Sequence, residues 1–399
     1  MQRRDFLRRS GAAVGFGAIL GGSRLLAATV EKAPPPPLPL VTTKIGPLAP
    51  VRANPDRLIR VSVCLRPFRA QGPRIEGERI GEKVVIHNYG HGGSGWSLSW
   101  GAAAIAVREA LATGEREFAV IGCGAIGLTT ALLLQQSGVK VTIYAKDRPN
   151  EARSAFATGV WSPDSRICSE EAATPAFAAL WEKMCRDSYR KYQTLLGIAG
   201  APVEWRDRYS VSSIPFEELR KKREAEEGPI KFGKFGDLVK NLTPGTEELA
   251  PGTHPFGAPY VRRATSMVFN IASFQRILVQ DFLAEGGRIV RREFNTVADF
   301  ANLPEKTVVH ATGYGARALL GDESVVPVRG QLALLIPQPE VNYSLSGEDV
   351  SMVSRSDGIV VQTSKPTDFN NTDEVPNRAD SEAGVLALAK IMAPLWRAV

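Results

Sequence analysis

Three groupings of residues in this 399-residue chain have types and spacings that could do chemistry. The first is Gly122-Cys123-Gly124-Ala125-Ile126-Gly127. It follows a short apolar run, Glu117 to Ile121, and opens a helix-forming stretch, Leu128 to Gln136, closed by Ser137-Gly138. A second apolar run, Val139 to Tyr144, comes next. Strand, glycine turn, helix and strand in this order predict a dinucleotide site. Gly122 permits the tight turn, Gly124 lets the backbone approach a pyrophosphate, and Gly127 lets the helix pack close to the strand. The N–H groups of Ala125, Ile126 and Gly127 then face the anion at the positive end of the helix dipole. An acid about 20 residues further on reads the ribose. Asp147 is the candidate, with Lys146 beside it placed to meet phosphate. The competing reading of the glycines is a buried βαβ turn that binds nothing.

The second grouping is Leu65-Arg66-Pro67-Phe68-Arg69, followed by Arg74. A guanidinium presents two parallel donors in the geometry of a carboxylate. Arg66 is the candidate anion reader. Its alternative role is a structural ion pair, for which Arg69 and Arg74 also compete. The third grouping is His87-Asn88-Tyr89-Gly90-His91-Gly92-Gly93-Ser94-Gly95-Trp96-Ser97, ahead of an Ala-rich helical stretch from Leu98 to Leu111. It reads as a second glycine-lined helix start, able to direct N–H groups at a developing negative charge; a plain tight turn is the alternative. His87 and His91 are four apart, but the glycines around them forbid a helix, so no metal pair is expected. The four cysteines show no zinc or redox spacing and predict free, mostly buried thiols.

Several of these segments together resemble D-amino-acid oxidase and its relatives. Val85 to Trp96, with Leu65 to Arg69 and Gly72 to Glu76 upstream, is the most selective match. Ala157-Thr158-Gly159-Val160-Trp161-Ser162-Pro163, Pro327-Val328-Arg329-Gly330-Gln331 and the strand Thr307 to Gly313 are also similar to family segments. The resemblance covers about residues 58–365 and implies an α/β protein. One part is a Rossmann-like, glutathione-reductase-type FAD-binding domain; the other is a mixed-sheet substrate domain. It implies FAD, held by Gly122, Gly124, Ala125, Ile126, Gly127, Lys146, Asp147, Ser154, Thr158, Gly159, Val160, Phe294, Thr312 and Gly313. Gly92, Gly93, Ser94, Gly95, Trp96 and Ser97 form its second loop against the flavin. No metal is implied.

The same resemblance implies hydride transfer from the α-carbon of an amino acid, most simply a D-amino acid, to the flavin. Oxygen then reoxidises the flavin and peroxide is released. Arg66 holds the carboxylate. Tyr343 matches a mobile-lid tyrosine, and Met352 falls where a second pocket tyrosine belongs. Methionine cannot donate that hydroxyl hydrogen bond. Arg355 is open to three readings: a substitute anchor, a reader of an acidic side chain, or a surface residue beside Asp357-Gly358. The alternatives for the whole chain are a dehydrogenase that uses an acceptor other than oxygen, or a flavin-binding protein without catalysis.

In the family the glycine fingerprint opens the chain and the His-Asn-Tyr-Gly-His-Gly-Gly segment closes it. Here the order is reversed, which predicts a circular permutation joined through Thr113-Gly114-Glu115. A small separate module over residues 58–112 is the alternative.

Around these groupings the chain suits two domains. Residues 83–160 and 263–325 are assigned to FAD binding; 58–82, 161–262 and 326–399 to the substrate domain. A crossover helix is expected from Ser273 to Gly286 and a terminal helix from Asp380 to Trp396. Residues 29–57, with Pro34 to Pro37, read as an extended linker. Residues 1–28 resemble a twin-arginine export signal: Arg3-Arg4-Asp5-Phe6-Leu7, a Gly/Ala-rich run, then Ala27-Ala28. This predicts a periplasmic or secreted protein that meets the twin-arginine machinery. The segment supplies much of the net charge of +7, and no basic stripe interleaved with aromatics remains, which argues against nucleic acid.

Overall fold

The computed structural model describes residues 37–226, 228, 230–363 and 368–397. Leu38–Val399 form one compact unit. The other, Met1–Pro37, lies outside the described residues except for Pro37, and the export signal with it.

The described residues open with β1 (Leu40–Val41), β2 (Leu58–Arg69), β3 (Arg74–Ile80), β4 (Lys83–Tyr89) and α1 (Gly95–Leu111). The fingerprint region gives β5 (Glu117–Ile121), α2 (Ala125–Gln136) and β6 (Lys140–Ala145). Next come α3 (Pro175–Gln193), β7 (Val203–Ser212), α4 (Phe216–Ala225), β8 (Glu247–Leu249) and β9 (Tyr260–Phe269). A return to the first layer follows through α5 (Ile271–Ala284), β10 (Arg288–Arg291), β11 (Thr307–His310) and α6 (Ala316–Leu320). The chain closes with β12 (Val325–Leu335), β13 (Tyr343–Ser346), β14 (Val350–Arg355), β15 (Gly358–Thr363) and α7 (Arg378–Trp396).

Two sheets result. The six-stranded sheet has the order β10-β6-β5-β11-β4-β3. Its first five strands are parallel and β3 is antiparallel to β4. The central strands are continuous apolar runs because both faces are covered. Phe118 to Ile121 and Thr307 to His310 are all buried. Ala-rich α1 is buried over most of its circumference, since α2 and α3 pack on it as well as the sheet. Thr174 caps α3 by accepting from the Phe177 N–H at 3.2 Å, and Pro175 fills the first helical position.

The nine-stranded sheet has the order β1-β8-β9-β7-β13-β14-β15-β12-β2. Alternation sends Leu345, Met352 and Val361 to one face, where Val385, Leu388, Met392 and Leu395 of α7 cover them. Leu388→Ala would cost about 2–5 kcal/mol here. Ser344, Ser351, Val353 and Gln362 border the cavity on the opposite side.

Three boundaries read from the sequence move. β3 belongs to the six-stranded sheet, although it lies before residue 83. β9 belongs to the nine-stranded sheet, although it extends past residue 263. The stretch read as a linker is docked from Pro39 onward: β1 pairs with β8, the Ile45 N–H bonds Thr253 O at 2.9 Å, and Val51 is fully buried. Val41, Ile45, Leu48 and Val51 supply the apolar surface that a free linker would lack. Residues 58–112 are no separate module: β2 lies beside β12, and β4 lies beside β11.

Candidate active site

A cavity of about 580 Å³ is lined from both sheets. At its six-stranded end the glycine turn joins β5 to α2. Gly122 has φ 109°, and a Cβ there would lie 2.5 Å from Ala311 O. A Cβ on Gly127 would lie 2.0 Å from Gly122 O, so only glycine lets α2 seat this close to β5. Gly127 serves packing and does not border the cavity, whereas Gly122, Gly124, Ala125 and Ile126 do. Ser154 sits against this helix start; its hydroxyl accepts from the Ala125 N–H at 3.0 Å. Asp147 follows β6 at the cavity wall, half-buried, with Lys146, Phe294, Thr312 and Gly313 beside the same space.

The second helix start is used differently from the sequence expectation. The Gly92 N–H donates to Pro67 O and the Gly93 N–H to Ser165 O, both at 2.8 Å, and the Ser94 N–H donates to His91 O at 2.9 Å. Ser94 is fully buried and away from the cavity. Gly92 has φ 55°, and a Cβ would lie 1.8 Å from Arg166 O, so the glycines bring two loops into contact. Gly95, Trp96 and Ser97, at the first turn of α1, border the cavity. Their N–H groups have no partner one turn back and are the ones left for a ligand.

Thr158, Gly159 and Val160 run along the cavity beside the nine-stranded sheet. Thr158 Oγ1 lies 2.9 Å from Gln362 Oε1, and Val160 bridges to Val268. Arg355 holds this segment. It is buried, pairs with both oxygens of Asp357 at 2.8 and 2.7 Å, and donates to Ala157 O at 2.7 Å. It is neither a surface residue nor a free anchor.

Arg66 faces the cavity from β2. Its guanidinium lies over Gly330 and donates to Arg329 O at 3.1 Å; among the described residues it has no acid partner. The neighbouring arginines take the acids instead: Arg69 lies 3.5 Å from Asp322, and Arg74 pairs with Glu76 and Glu78. Of the two further expected substrate contacts, one lies away from the cavity. Tyr343 turns to the α7 side, where its hydroxyl donates to Ala49 O at 2.8 Å. Met352 also borders the cavity, but its side chain packs in the same α7 core, and Ser351, one residue earlier, borders the cavity too. The sequence reading also missed Arg208, Ser344 and Gln362 on this wall.

A chain of polar groups crosses the six-stranded sheet, from exposed Glu78 through the buried His87 and His310 to half-buried Thr312. His87 Nε2 meets Glu78 at 2.8 Å, His87 Nδ1 meets His310 Nδ1 at 3.1 Å, and His310 Nε2 meets Thr312 Oγ1 at 2.6 Å. Burial pulls the His310 pKa down to about 3, and neighbouring His87 and Arg74 add to this. Burial alone takes His91 to about 3. His91 Nε2 and Asn88 Oδ1 are buried without a partner at residues that border the cavity. Such orphaned atoms fit a site completed by a ligand.

Two helix starts set against one cavity, with a guanidinium on a second sheet, define a dinucleotide-dependent enzyme whose substrate wall is separate from its cofactor wall. Residues 117–397 match the DAO family, described as FAD dependent oxidoreductase, and the chain belongs to that family. It is similar to a D-amino acid oxidase of Dugesia ryukyuensis, 26% identical over 66% of this chain and 74% of the relative. It is also 26% identical to a D-amino-acid oxidase of Streptomyces coelicolor, over 59% of this chain and 63% of that one. Among solved structures it resembles a glycine oxidase from Geobacillus kaustophilus, with 13% identity, a TM-score of 0.49, and coverage of 71% and 80% of the two chains. The protein is therefore an FAD-dependent oxidoreductase with a two-domain fold of the D-amino-acid oxidase kind. Its own residues fit FAD: the start of α2 would hold the pyrophosphate, Asp147 the ribose, and the start of α1 with Thr158 to Val160 the flavin, since all border the one cavity.

Proposed function

We propose that the protein oxidises an amino acid, most simply a D-amino acid, to the imino acid, with the substrate carboxylate held by Arg66. The observation that carries this reading is the Arg66 guanidinium, at the cavity on the wall opposite the dinucleotide turn and without an acid partner among the described residues. Two parallel N–H donors fix a carboxylate in one plane, which sets the α-carbon's direction. Ser351 and Gln362 border the same space and offer further hydrogen bonds. Among the described residues no carboxylate side chain from the nine-stranded sheet borders the cavity, so the substrate ammonium gives its proton to water and reacts as the neutral amine.

FAD, when bound, supplies the two-electron acceptor. The substrate α-carbon gives up hydride, its nitrogen gives up a proton, and a C=N bond forms. Water then cleaves the imine to a 2-oxo acid and ammonia. Oxygen is the proposed final acceptor, leaving as hydrogen peroxide. The test is an absorbance scan of the purified protein without oxygen during additions of D- and L-amino acids. Bleaching of the flavin by one stereochemical series supports the reading; a flavin that no amino acid bleaches overturns it. Peroxide released in air separates an oxidase from a dehydrogenase.

We also infer a circular permutation. The family match begins at residue 117 and ends at 397, whereas residues 58–112 lie within the same two sheets. The end of α7 packs near the segment ahead of β2, where the Val51 N–H meets Met392 Sδ at 3.4 Å. A rearranged chain with 58–112 placed after 397 should fold and bind FAD; failure of a soluble version to do either counts against it. The arginine pair at residues 3 and 4 supports export by the twin-arginine route to the periplasm or beyond. Replacing both with lysine should keep the precursor in the cytoplasm, and undiminished export would end that reading.

A further inference from the structure

Gly330 of β12 lies opposite Cys64 of β2, and Arg66 stands two residues further along β2. Positions two apart on a strand share a face, and so do cross-strand partners, so Cys64, Arg66 and Gly330 look to one side. Cys64 and Arg66 both border the cavity on that side. The Arg66 side chain does not stand straight off its own strand. It folds across to β12, where a Cβ built on Gly330 would lie 2.3 Å from Nη1, 2.4 Å from Nη2 and 2.5 Å from Cζ. Three near-equal distances mean that the flat face of the guanidinium rests on the glycine, in the space that a side chain would fill. The edge that carries the donors is thereby turned along the sheet, and Nη1 donates to Arg329 O at 3.1 Å.

This seat is held firmly. Arg329 and Gln331, on either side of Gly330, pair with Leu65 and Val63 of β2. Their side chains point to the opposite face and fasten the same stretch to the chain ahead of α7. Arg329 donates from Nε to Asp373 O and from Nη2 to Val375 O, both at 2.8 Å, and Gln331 Nε2 donates to Asn377 O at 2.7 Å. The backbone under the guanidinium therefore does not retreat easily. Nor does that backbone itself require glycine, since the φ of Gly330 lies outside the left-handed region. Inside a strand glycine costs chain entropy and contributes no packing. What explains it here is the guanidinium lying on it.

We propose that Gly330 is a positioning residue for the substrate: its missing side chain is the seat that fixes where, and in which plane, the Arg66 guanidinium meets a carboxylate. This rests on the assignment of the substrate carboxylate to Arg66. A methyl group at residue 330 would push the guanidinium off by about 1 Å, because ordinary contact begins at 3.4 Å. A displacement of about 1 Å in a positioning group can cost on the order of 100-fold in rate. The charge and donors of Arg66 survive such a change, and only their aim is lost.

The test uses the FAD-loaded full-length protein in four forms: the parent, Gly330→Ala, Arg66→Ala and the double variant. Calorimetric titration with propionate reads carboxylate binding without turnover, and steady-state kinetics gives KM for an amino acid that bleaches the flavin. Gly330→Ala should weaken propionate binding tenfold or more and raise KM by a similar factor. Its flavin content should match the parent's, and its melting temperature should be equal or higher, which a merely structural glycine would not allow. In the Arg66→Ala background the same substitution should change affinity by less than twofold, because nothing then occupies the seat. Propionate binding within twofold of the parent in Gly330→Ala, or an equal loss with and without Arg66, overturns the proposal. If propionate follows the expected pattern but no amino acid bleaches the flavin, the amino-acid reading fails and the positioning role stands. If amino acids bleach the flavin and KM depends on Arg66 but not on residue 330, the positioning role fails and the proposed function stands. Should Gly330→Ala not fold, the double variant decides. A folded double variant supports the steric contact with Arg66; an unfolded one, where Arg66→Ala alone folds, shows that the glycine serves the strand itself and overturns the proposal.

Discussion

His87 and His310 face each other across adjacent strands with their Nδ1 atoms 3.1 Å apart, and each uses its other ring nitrogen in a second contact. The polarity of the chain follows. The Glu78 carboxyl lies below its ordinary range, because the bond from His87 and the charge of Arg74 outweigh the upward push of burial. An ionised carboxylate only accepts, so His87 Nε2 carries a proton. Burial also lowers the His87 pKa, against the opposing pull of Glu78, which keeps the ring neutral and Nδ1 an acceptor. His310 therefore donates from Nδ1 and accepts at Nε2 from the Thr312 hydroxyl. Thr312 is left with lone pairs toward the cavity, suited to a hydroxyl of the cofactor and not to its phosphates. Nitrogen chemical shifts should show His87 protonated at Nε2 and His310 at Nδ1; the reverse tautomers would break the chain.

Stability should fall on acidification in a defined window. His91 and His310 are held neutral, with pKa values of about 3, whereas an unfolded histidine titrates near 6.5. Between these values the unfolded chain binds protons that the folded chain refuses. Stability thus rises with pH from about 3 to about 6.5, and each of these histidines contributes a slope of up to about 1.4 kcal/mol per pH unit. Urea midpoints measured from pH 4 to 8 should climb to about pH 6.5 and then level off. A flat profile below pH 6 would mean that the rings are hydrated.

Arg66→Ala should raise KM for the carboxylate substrate by about 10- to 100-fold, the range expected for a charge-assisted pair of about 1.5–3 kcal/mol. Bound FAD should be unchanged, because Arg66 belongs to β2 and not to either helix start. Steady-state kinetics alongside flavin absorbance per protein measures both. A loss of flavin would show that Arg66 supports the cofactor wall instead.

The glycines of the first turn should separate into two kinds. Gly127→Ala places a methyl 2.0 Å from Gly122 O, where only backbone movement relieves it. A folding defect of several kcal/mol is expected, with FAD lost as a consequence. Gly124→Ala meets the Ser154 side chain at 3.2 Å, a group that can turn aside. That variant should keep its melting temperature without FAD and bind FAD more weakly. Melting curves with and without added FAD distinguish the two effects.

Local spacing made the β5–α2–β6 unit readable, because strand, turn and helix announce themselves within some thirty residues. Arg66 was readable from its place before Pro67. What stayed hidden depends on partners far away in the chain. The bond between His87 and His310 spans 223 positions, and no periodicity signals it. The docking of residues 38–57 needed β8 and α7 to be in place. Along β14 the pattern Ser351-Met352-Val353 does not say which face is wet, and a one-residue slip exchanges Ser351 for Met352 at the cavity. Arg208 is one of many arginines by sequence; only the fold shows that it borders the cavity.

Tyr343 offers the sharpest check on that strand assignment. Its hydroxyl donates to Ala49 O and lies near Met392 Sδ, and burial pushes its pKa well above the ordinary tyrosine value. If the β13 register is right, the ring belongs to the core beneath α7 and cannot close over a substrate. Tyr343→Phe should then lower stability by about 1 kcal/mol, the net worth of one buried hydrogen bond. KM and kcat for the substrate should stay within about twofold of the parent. Ser351→Ala, at a residue that borders the cavity on neighbouring β14, should do the opposite: a changed KM with an unchanged urea midpoint. A Tyr343→Phe variant with altered KM would mean that β13 shifts to expose the ring, and the cavity wall would have to be redrawn around it.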